Sequence, residues 1–237
     1  RAWGMAACYY GCGRMAVADT ARVAMRLLAG GRLGLFAGSP DTGQGSDTTL
    51  AQIAAEELGV PFEWVAVTSA DTGLCHDSGI SSASRVTYVV GNAVKRAAAN
   101  LRALLLAALN QHTGLSASRL PGSMERLAAL AAFCAQRGLA VEAEGFFQTE
   151  SGPLDADGQG NPFGAYTFGV QMSRVRVDTL TGQTDVEEVV SCFDAGTVVN
   201  PRQYQGQLQG AAAMAQGLAL TEEIHLRSGV PVETNLH

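Results

Sequence analysis

Lysine is almost missing from this chain: Lys95 is the only one among 237 residues, and the other positive charges are scattered arginines. With a net charge of −6, that scarcity excludes a nucleic-acid groove and a polybasic membrane patch. Charged residues reach only 16% against 47% hydrophobic, too few for a freely solvated surface, so part of the surface is expected to be covered by a protein partner. No apolar run attains the roughly 18 residues of a spanning helix, and nothing at the start reads as a secretory leader. The five cysteines (Cys8, Cys12, Cys75, Cys134 and Cys192) are odd in number and have no repeated spacing. Cys8 and Cys12 form a C-x-x-x-C pair, but no second pair or nearby histidine completes a zinc or iron–sulfur pattern. Reduced thiols in a cytoplasmic protein are the expectation. The chain starts at Arg1 without methionine and stops in the extended stretch "VPVETNLH", so a fragment or processed piece is expected.

What is present alternates regularly. "RVAMRLLAGGRLGLFAGSP" reads as a hairpin about the turn at residues 29–32, running into a glycine-rich loop. Leu50, Ile53, Ala54 and Leu58 then follow helical spacing up to a stop at Gly59. "FEWVAVTSA" is a strand, and an alanine-rich helix spans about residues 85–109 with Val89, Ala93, Arg96 and Ala97 on one face. The first half therefore reads ββαβα. After a turn-rich connector at 110–122 come a short helix with Ser123 as N-cap and Gly138 at its end, a strand "LAVEAEGFFQ", and a Gly/Pro/Asp-rich surface loop. Two alternating strands follow from Gly169 with a turn at Thr181-Gly182. The last element, "RQYQGQLQGAAAMAQGLALTEEI", reads as a buried helix whose small residues allow close approach. The fold class expected is α+β, with small mixed sheets packed with helices and subdomains at 1–110 and 111–237.

The loop "GSPDTGQGSDTT", Gly38 to Thr49, lies between a strand and a helix. Against a phosphate-binding loop, Gln44 stands where lysine is required, and the charge of a transferring phosphate would go unbalanced. Against a dinucleotide fingerprint, Thr48 replaces the third glycine and no ribose-binding acid is evident after the second parallel strand. What remains is a helix start whose N–H groups suit an anion or a carbonyl-rich heterocycle, with Gln44 adding neutral donors and an acceptor. The plainer alternative is a glycine turn with Ser46 or Asp47 as the cap. A second loop places Ser81, Ser82, Ser84 and Arg85 at another helix start, where a phosphate would gain both dipole and charge. A third cluster sets Gln207 between glycines.

"DTGQGSDTTLAQIAAEELGV", "ADTG…SASRVTYVVGNAV" and "FDAGTVVNPRQYQGQLQGAAAMAQGLALTEE" occur in this order from about Gly34 to Glu223. Together they resemble the C-terminal molybdopterin-binding domain in the molybdenum subunits of the xanthine dehydrogenase and aldehyde oxidase family. The resemblance implies a cofactor of molybdopterin with molybdenum, in bacterial relatives usually the cytosine dinucleotide form. Gln44, with Gly45 and Ser46 beside it, would contact the cofactor near the metal's ligands. Ser82, Ala83, Ser84 and Arg85 would cradle the pterin and its phosphates, Asn92 would lie in the close helix packing beside it, and Gln207 would match the later glutamine.

The same resemblance implies oxidative hydroxylation of an aldehyde or N-heterocycle, with electrons leaving through [2Fe–2S] clusters, usually to FAD, on other domains or subunits. The base in that family is the glutamate of a G-x-G-E motif. No glutamate here follows a glycine, so no catalytic residue is assigned and the chain alone is expected not to turn over. Expected partners are the remaining half of the molybdenum subunit, the iron–sulfur and FAD parts and a small-molecule substrate. Two alternatives stay open: a cofactor-free scaffold that keeps the fold, and a nucleotide binder using Gly38–Ser46. His76 and Asp77 read as a solvated loop pair that could meet cofactor or substrate, and Trp64 as core or interface packing.

Overall fold

The computed structural model describes residues 1–233, so the last four residues of the expected extended terminus lie outside the described residues. In chain order the strands and helices are β1 (Ala2–Gly11), β2 (Thr20–Leu27), β3 (Leu33–Ala37), α1 (Ser46–Leu58), β4 (Val65–Ser69), α2 (Gly91–Thr113), α3 (Met124–Gln136), β5 (Glu142–Gln148), β6 (Tyr166–Val177), β7 (Thr184–Asp194), α4 (Pro201–Leu220), β8 (Leu226–Arg227) and β9 (Val230–Pro231). The α+β class expected from the sequence is what folds. The described residues divide into two compact units, one of residues 8–168 and 194–199, the other of 1–7, 169–193 and 200–233.

The larger unit is built on a sheet ordered β4-β3-β2-β5. β2 and β3 form the expected hairpin, with Leu27 opposite Leu33, and β3 runs parallel to β4 through α1. Alternation puts Val23, Met25, Leu33, Leu35 and Ala37 on one face, where α1 and α2 cover them with Leu50, Ala54, Leu58, Ala93, Ala97, Leu101 and Leu105. Trp64 packs against the rim of this core, as expected, although residues 62–64 form a short 3₁₀ turn before the strand. The alanines of α2 have a packing purpose. A Cβ on Gly145 of β5 would lie 2.0 Å from the Ala93 carbonyl oxygen and 2.4 Å from Ala97 N, so helix backbone rests directly on strand backbone. The long helix also starts later than its periodicity suggests, because residues Val86–Val90 form a π-helical turn ahead of Gly91. Gly91 leaves room for Ile53 of α1, whose Cδ1 would be 2.9 Å from an added Cβ.

One buried charge ties the site-bearing segments together. Arg85, at 0% exposure, donates from Nε to Asp19 Oδ1 (2.9 Å), from Nη1 to the Ser78 and Ile80 carbonyls (2.8 and 2.9 Å) and from Nη2 to the Thr20 carbonyl (2.6 Å). Asp19 is fixed in turn by Thr149, whose Oγ1 accepts from Asp19 N (2.8 Å), and takes Arg14 N–H on Oδ2 (3.2 Å). A fully buried guanidinium is tolerated only when its donors are met, and here they bind the start of β2 to the loop before α2.

In the smaller unit the strand order is β1-β6-β7, and α4 is a regular helix started by Asn200, whose side chain accepts from Gln203 N, with Pro201 in the first turn. The β1 strand has no counterpart among the elements expected from the sequence. The expectation that α4 is buried is corrected: none of its residues is buried, and Met214 and Leu218 are about 70% exposed.

Two outcomes test this frame by chemical denaturation. Asp19→Ala strands the Arg85 charge and should cost about 3–5 kcal/mol, with Arg85→Met added to it costing less than the two changes summed. Gly145→Val meets helix backbone rather than a side chain end, and should cost about 1–3 kcal/mol or more.

Candidate functional site

Residues 38–46 and 76–85 lie edge to edge. Gly38 N–H donates to Ser78 Oγ (2.9 Å), which donates onward to the Arg22 carbonyl (2.8 Å). Ser81 Oγ donates to the Pro40 carbonyl (2.9 Å) and lies 3.2 Å from Ser39 Oγ. A side chain at Gly38 would force them apart, since its Cβ would stand 2.3 Å from the His76 carbonyl oxygen. The structure therefore brings the glycine loop and the serine loop, predicted separately, to one place in the larger unit.

The first loop caps its own helix in an unexpected way. Neither Ser46 nor Asp47 is the cap. Gly45 takes the N-cap position in a left-handed conformation (φ 78°), and the carboxylate of Asp41 reaches back instead. Asp41 accepts from Gly43 N (2.8 Å), Gly45 N (3.3 Å) and Asp47 N (3.2 Å). Burial pushes its carboxyl up, but the N–H groups of Gly43, Asp47, Gly45 and Ser46 outweigh it and hold the pKa below its usual value. The place a phosphate would take at the start of α1 is thus filled by a carboxylate of the chain itself. That geometry removes the basis for a nucleotide site at Gly38–Ser46. Asp71 does follow the second parallel strand, but its Oδ1 is taken by Gly73 N–H (2.8 Å) within its own turn. Gln44 is half-buried and shapes the loop: Oε1 accepts from Thr42 N and Oγ1 (2.6 and 2.9 Å), while Nε2 donates to the Pro40 carbonyl and Ser46 Oγ (3.2 and 3.0 Å).

The second loop carries backbone strain. Ala83 and Ser84 are both left-handed, at φ 50° and 54°, a conformation that costs a residue with a Cβ of order 1–3 kcal/mol. Gly13 N–H holds the Ala83 carbonyl (2.8 Å), and Arg85 N–H holds that of Ser82 (3.1 Å). The Ala83 and Ser84 N–H groups meet no protein acceptor among the described residues, and the Ser82 and Ser84 side chains are exposed. Arg85 differs from its expected role. Its guanidinium points inward to Asp19 and three carbonyls, so its charge shapes the loop rather than reaching for a phosphate.

Among the described residues, neither Asn92 nor Gln207 hydrogen-bonds to these loops. Asn92 Nδ2 donates to the Tyr88 carbonyl (2.7 Å), patching the π turn from within α2. Gln207 is exposed on α4 in the smaller unit. A segment that sequence reasoning missed, residues 11–19, completes the surroundings. Besides the Gly13 contact, Cys12 N bonds to the Ala165 carbonyl (2.9 Å) and Ala16 N to the Pro162 carbonyl (2.8 Å). A signal existed in "GCG", the same glycine spacing as "GQG": Gly13 sits at φ 92°, and a Cβ there would be 2.8 Å from Asp19 Oδ2. Beside it lies an open surface depression lined by Tyr9, Tyr10, Met15, Phe163 and Tyr166, together with glycine backbone. Burial pushes the Cys12 thiol up, away from a reactive thiolate.

Comparison with known proteins places the chain in a family. A family model described as the molybdopterin cofactor-binding domain matches residues 1–237. A protein of Bacillus subtilis named as a probable xanthine dehydrogenase component is 33% identical over 235 residues, 95% of this chain and 30% of that protein. The nicotine 6-hydroxylase large subunit of Paenarthrobacter nicotinovorans is 30% identical over 226 residues, 87% of this chain and 26% of its own length. The solved structure of the aldehyde oxidoreductase of Desulfovibrio gigas superposes with a TM-score of 0.78 at 29% identity, covering 93% of this chain and 23% of that one. The chain thus spans less than a third of each of these relatives. Matched along its whole length, it belongs to the molybdopterin cofactor-binding domain family of the xanthine dehydrogenase and aldehyde oxidase enzymes.

Proposed function

We propose that this chain forms part of the molybdopterin cradle of a molybdenum hydroxylase that acts on an aldehyde or N-heterocycle. The observation that carries the reading is the joining of the two loops through Ser39, Pro40, Ser78 and Ser81, with strained Ala83 and Ser84 held at their edge. The donor set fits such a group. Ala83 and Ser84 offer uncommitted N–H donors to a phosphate or to pterin ring acceptors, Ser82 and Ser84 add hydroxyls, and the tip at Gly43 is open, with nothing within 4 Å of an added Cβ. When bound, the cofactor supplies the oxygen-transfer and redox chemistry that no side chain provides.

This chain's residues bind and orient. Gln44 fixes the first loop through its amide and, being neutral, places no charge against an oxo group. Gly45 and Ser46 set the start of α1, Arg85 sets the shape of the second loop, and Asn92 secures the helix behind it. Gln207 is assigned to the same cofactor by resemblance. The cytosine dinucleotide form, [2Fe–2S] and FAD groups on other domains or subunits, the rest of the molybdenum subunit as partner and a cytoplasmic place complete the proposal.

Molybdenum and pterin content of the purified assembly test the cradle. Gln44→Ala should lower both severalfold with little change in unfolding midpoint, and unchanged content would remove Gln44 from the site. Ala83→Val, which cannot take φ 50° without strain, should lower content more than Ala83→Gly. The Asp41 cap has its own pH signature. Because the folded carboxyl lies below its usual value, its stabilisation is present above the unfolded pKa and is lost as pH falls through the folded one. Hydrogen exchange at Gly43–Asp47 should therefore stay slow through mildly acid pH and quicken only below the usual carboxylate range, whereas Asp41→Asn should quicken it at neutral pH.

A further inference from the structure

Residues 76–80 are held on one side by a permanent charge and on the other by a titratable one. On the inner side Arg85 grips the Ser78 and Ile80 carbonyls. On the outer side His76 Nε2 lies 3.0 Å from Glu144 Oε1, and Arg22 Nη1 donates to Glu144 Oε2 at 2.8 Å. Glu144 is on β5 and Arg22 on the adjoining strand β2, where Arg22 is opposite Phe146 and Ala24 opposite Glu144. Both side chains leave the sheet on the face away from the helices. The loop backbone follows the same line: Arg22 N–H reaches the Asp77 carbonyl (3.4 Å), and the His76 carbonyl fills the space over Gly38.

We propose that His76 is a positioning residue whose imidazolium clamps the 76–80 loop, and through it the serine edge of the cradle, onto the sheet. Its charged and titratable surroundings are few. Glu144 and Arg22 face it from the strands, with the Arg26–Glu142 pair next along the same face. On the loop, Asp77 is spent on Gly79 N–H and the Cys75 thiol on the Thr68 carbonyl. The Arg22 hydrogen bond, with the His76 charge after it, outweighs burial and keeps the Glu144 carboxyl below its usual pKa. A protonated His76 then closes a cation–carboxylate–cation arrangement. Once it is neutral, Glu144 is left to Arg22, and only uncharged contacts hold the outer side of the loop. The clamp is a property of the loop alone; its consequence for cofactor retention rests on the function proposed above.

Hydrogen exchange of the 74–82 backbone in the intact protein reads the clamp directly, compared at pH 5.5 and at pH 8.0. After correction for intrinsic rates, protection should fall roughly two- to fivefold at the higher pH, the scale of an exposed pair. His76→Gln should flatten that dependence while the unfolding midpoint stays within the range of surface substitutions, and Glu144→Gln should flatten it as well. Protection independent of pH in the unmodified protein, or a dependence that survives in His76→Gln, would overturn the proposal. Exchange is read on the loop itself, so this outcome is separable from molybdenum and pterin content, which judge the cofactor reading.

Discussion

The buried pair of Arg85 and Asp19 is the constraint from which the rest of the site follows. A guanidinium sealed from water must have its N–H groups met, and the partners it takes are backbone carbonyls of residues that would otherwise be loose loop: Thr20, Ser78 and Ile80. Because Asp19 lies 66 positions away in sequence, satisfying that one side chain fixes the distance between the start of β2 and the start of the α2 region. The strained backbone at Ala83 and Ser84 persists because its flanks are tied down by this network and by Gly13.

Local period and turn chemistry made much of the larger unit legible. Alternation marked β2 and β3, helical spacing marked α1, and Ser123 with Gly138 marked the ends of α3, where the Ser123 side chain accepts from Arg126 N. The two loops of the candidate site were also legible as glycine and hydroxyl clusters, but their adjacency was not. It depends on Ser39, Pro40, Ser78 and Ser81, residues whose composition says only "turn", and on long-range pairing that no local pattern encodes. Arg85 misled for the same reason. A positive residue at a helix start reads as an anion partner until Asp19 is found beside it. The β1 strand escaped because its aromatic and glycine residues do not alternate cleanly, and α4 looked buried because small residues mimic a close-packed helix.

The glycine loop shows how a phosphate-loop outline can be converted to another purpose. Conventional loops of this outline leave backbone N–H groups open to a polyanion and set a lysine beside them. Here Asp41 consumes those N–H groups, and Gln44 braces the turn with its amide. The loop is satisfied by the chain's own carboxylate and amide and carries no positive charge.

The contact of α2 on β5 carries a mechanical consequence. With no side chain at Gly145, the strand meets helix backbone at Ala93 and Ala97, in the first turns of a helix of 23 residues, about 35 Å at 1.5 Å per residue. A helix seated on a cushion of long side chains can roll or slide by repacking them; one seated on peptide groups has no such slack. The strained loop ahead of α2 therefore leads into a helix whose first turns sit directly on the edge strand of the sheet, without side chains between them to repack.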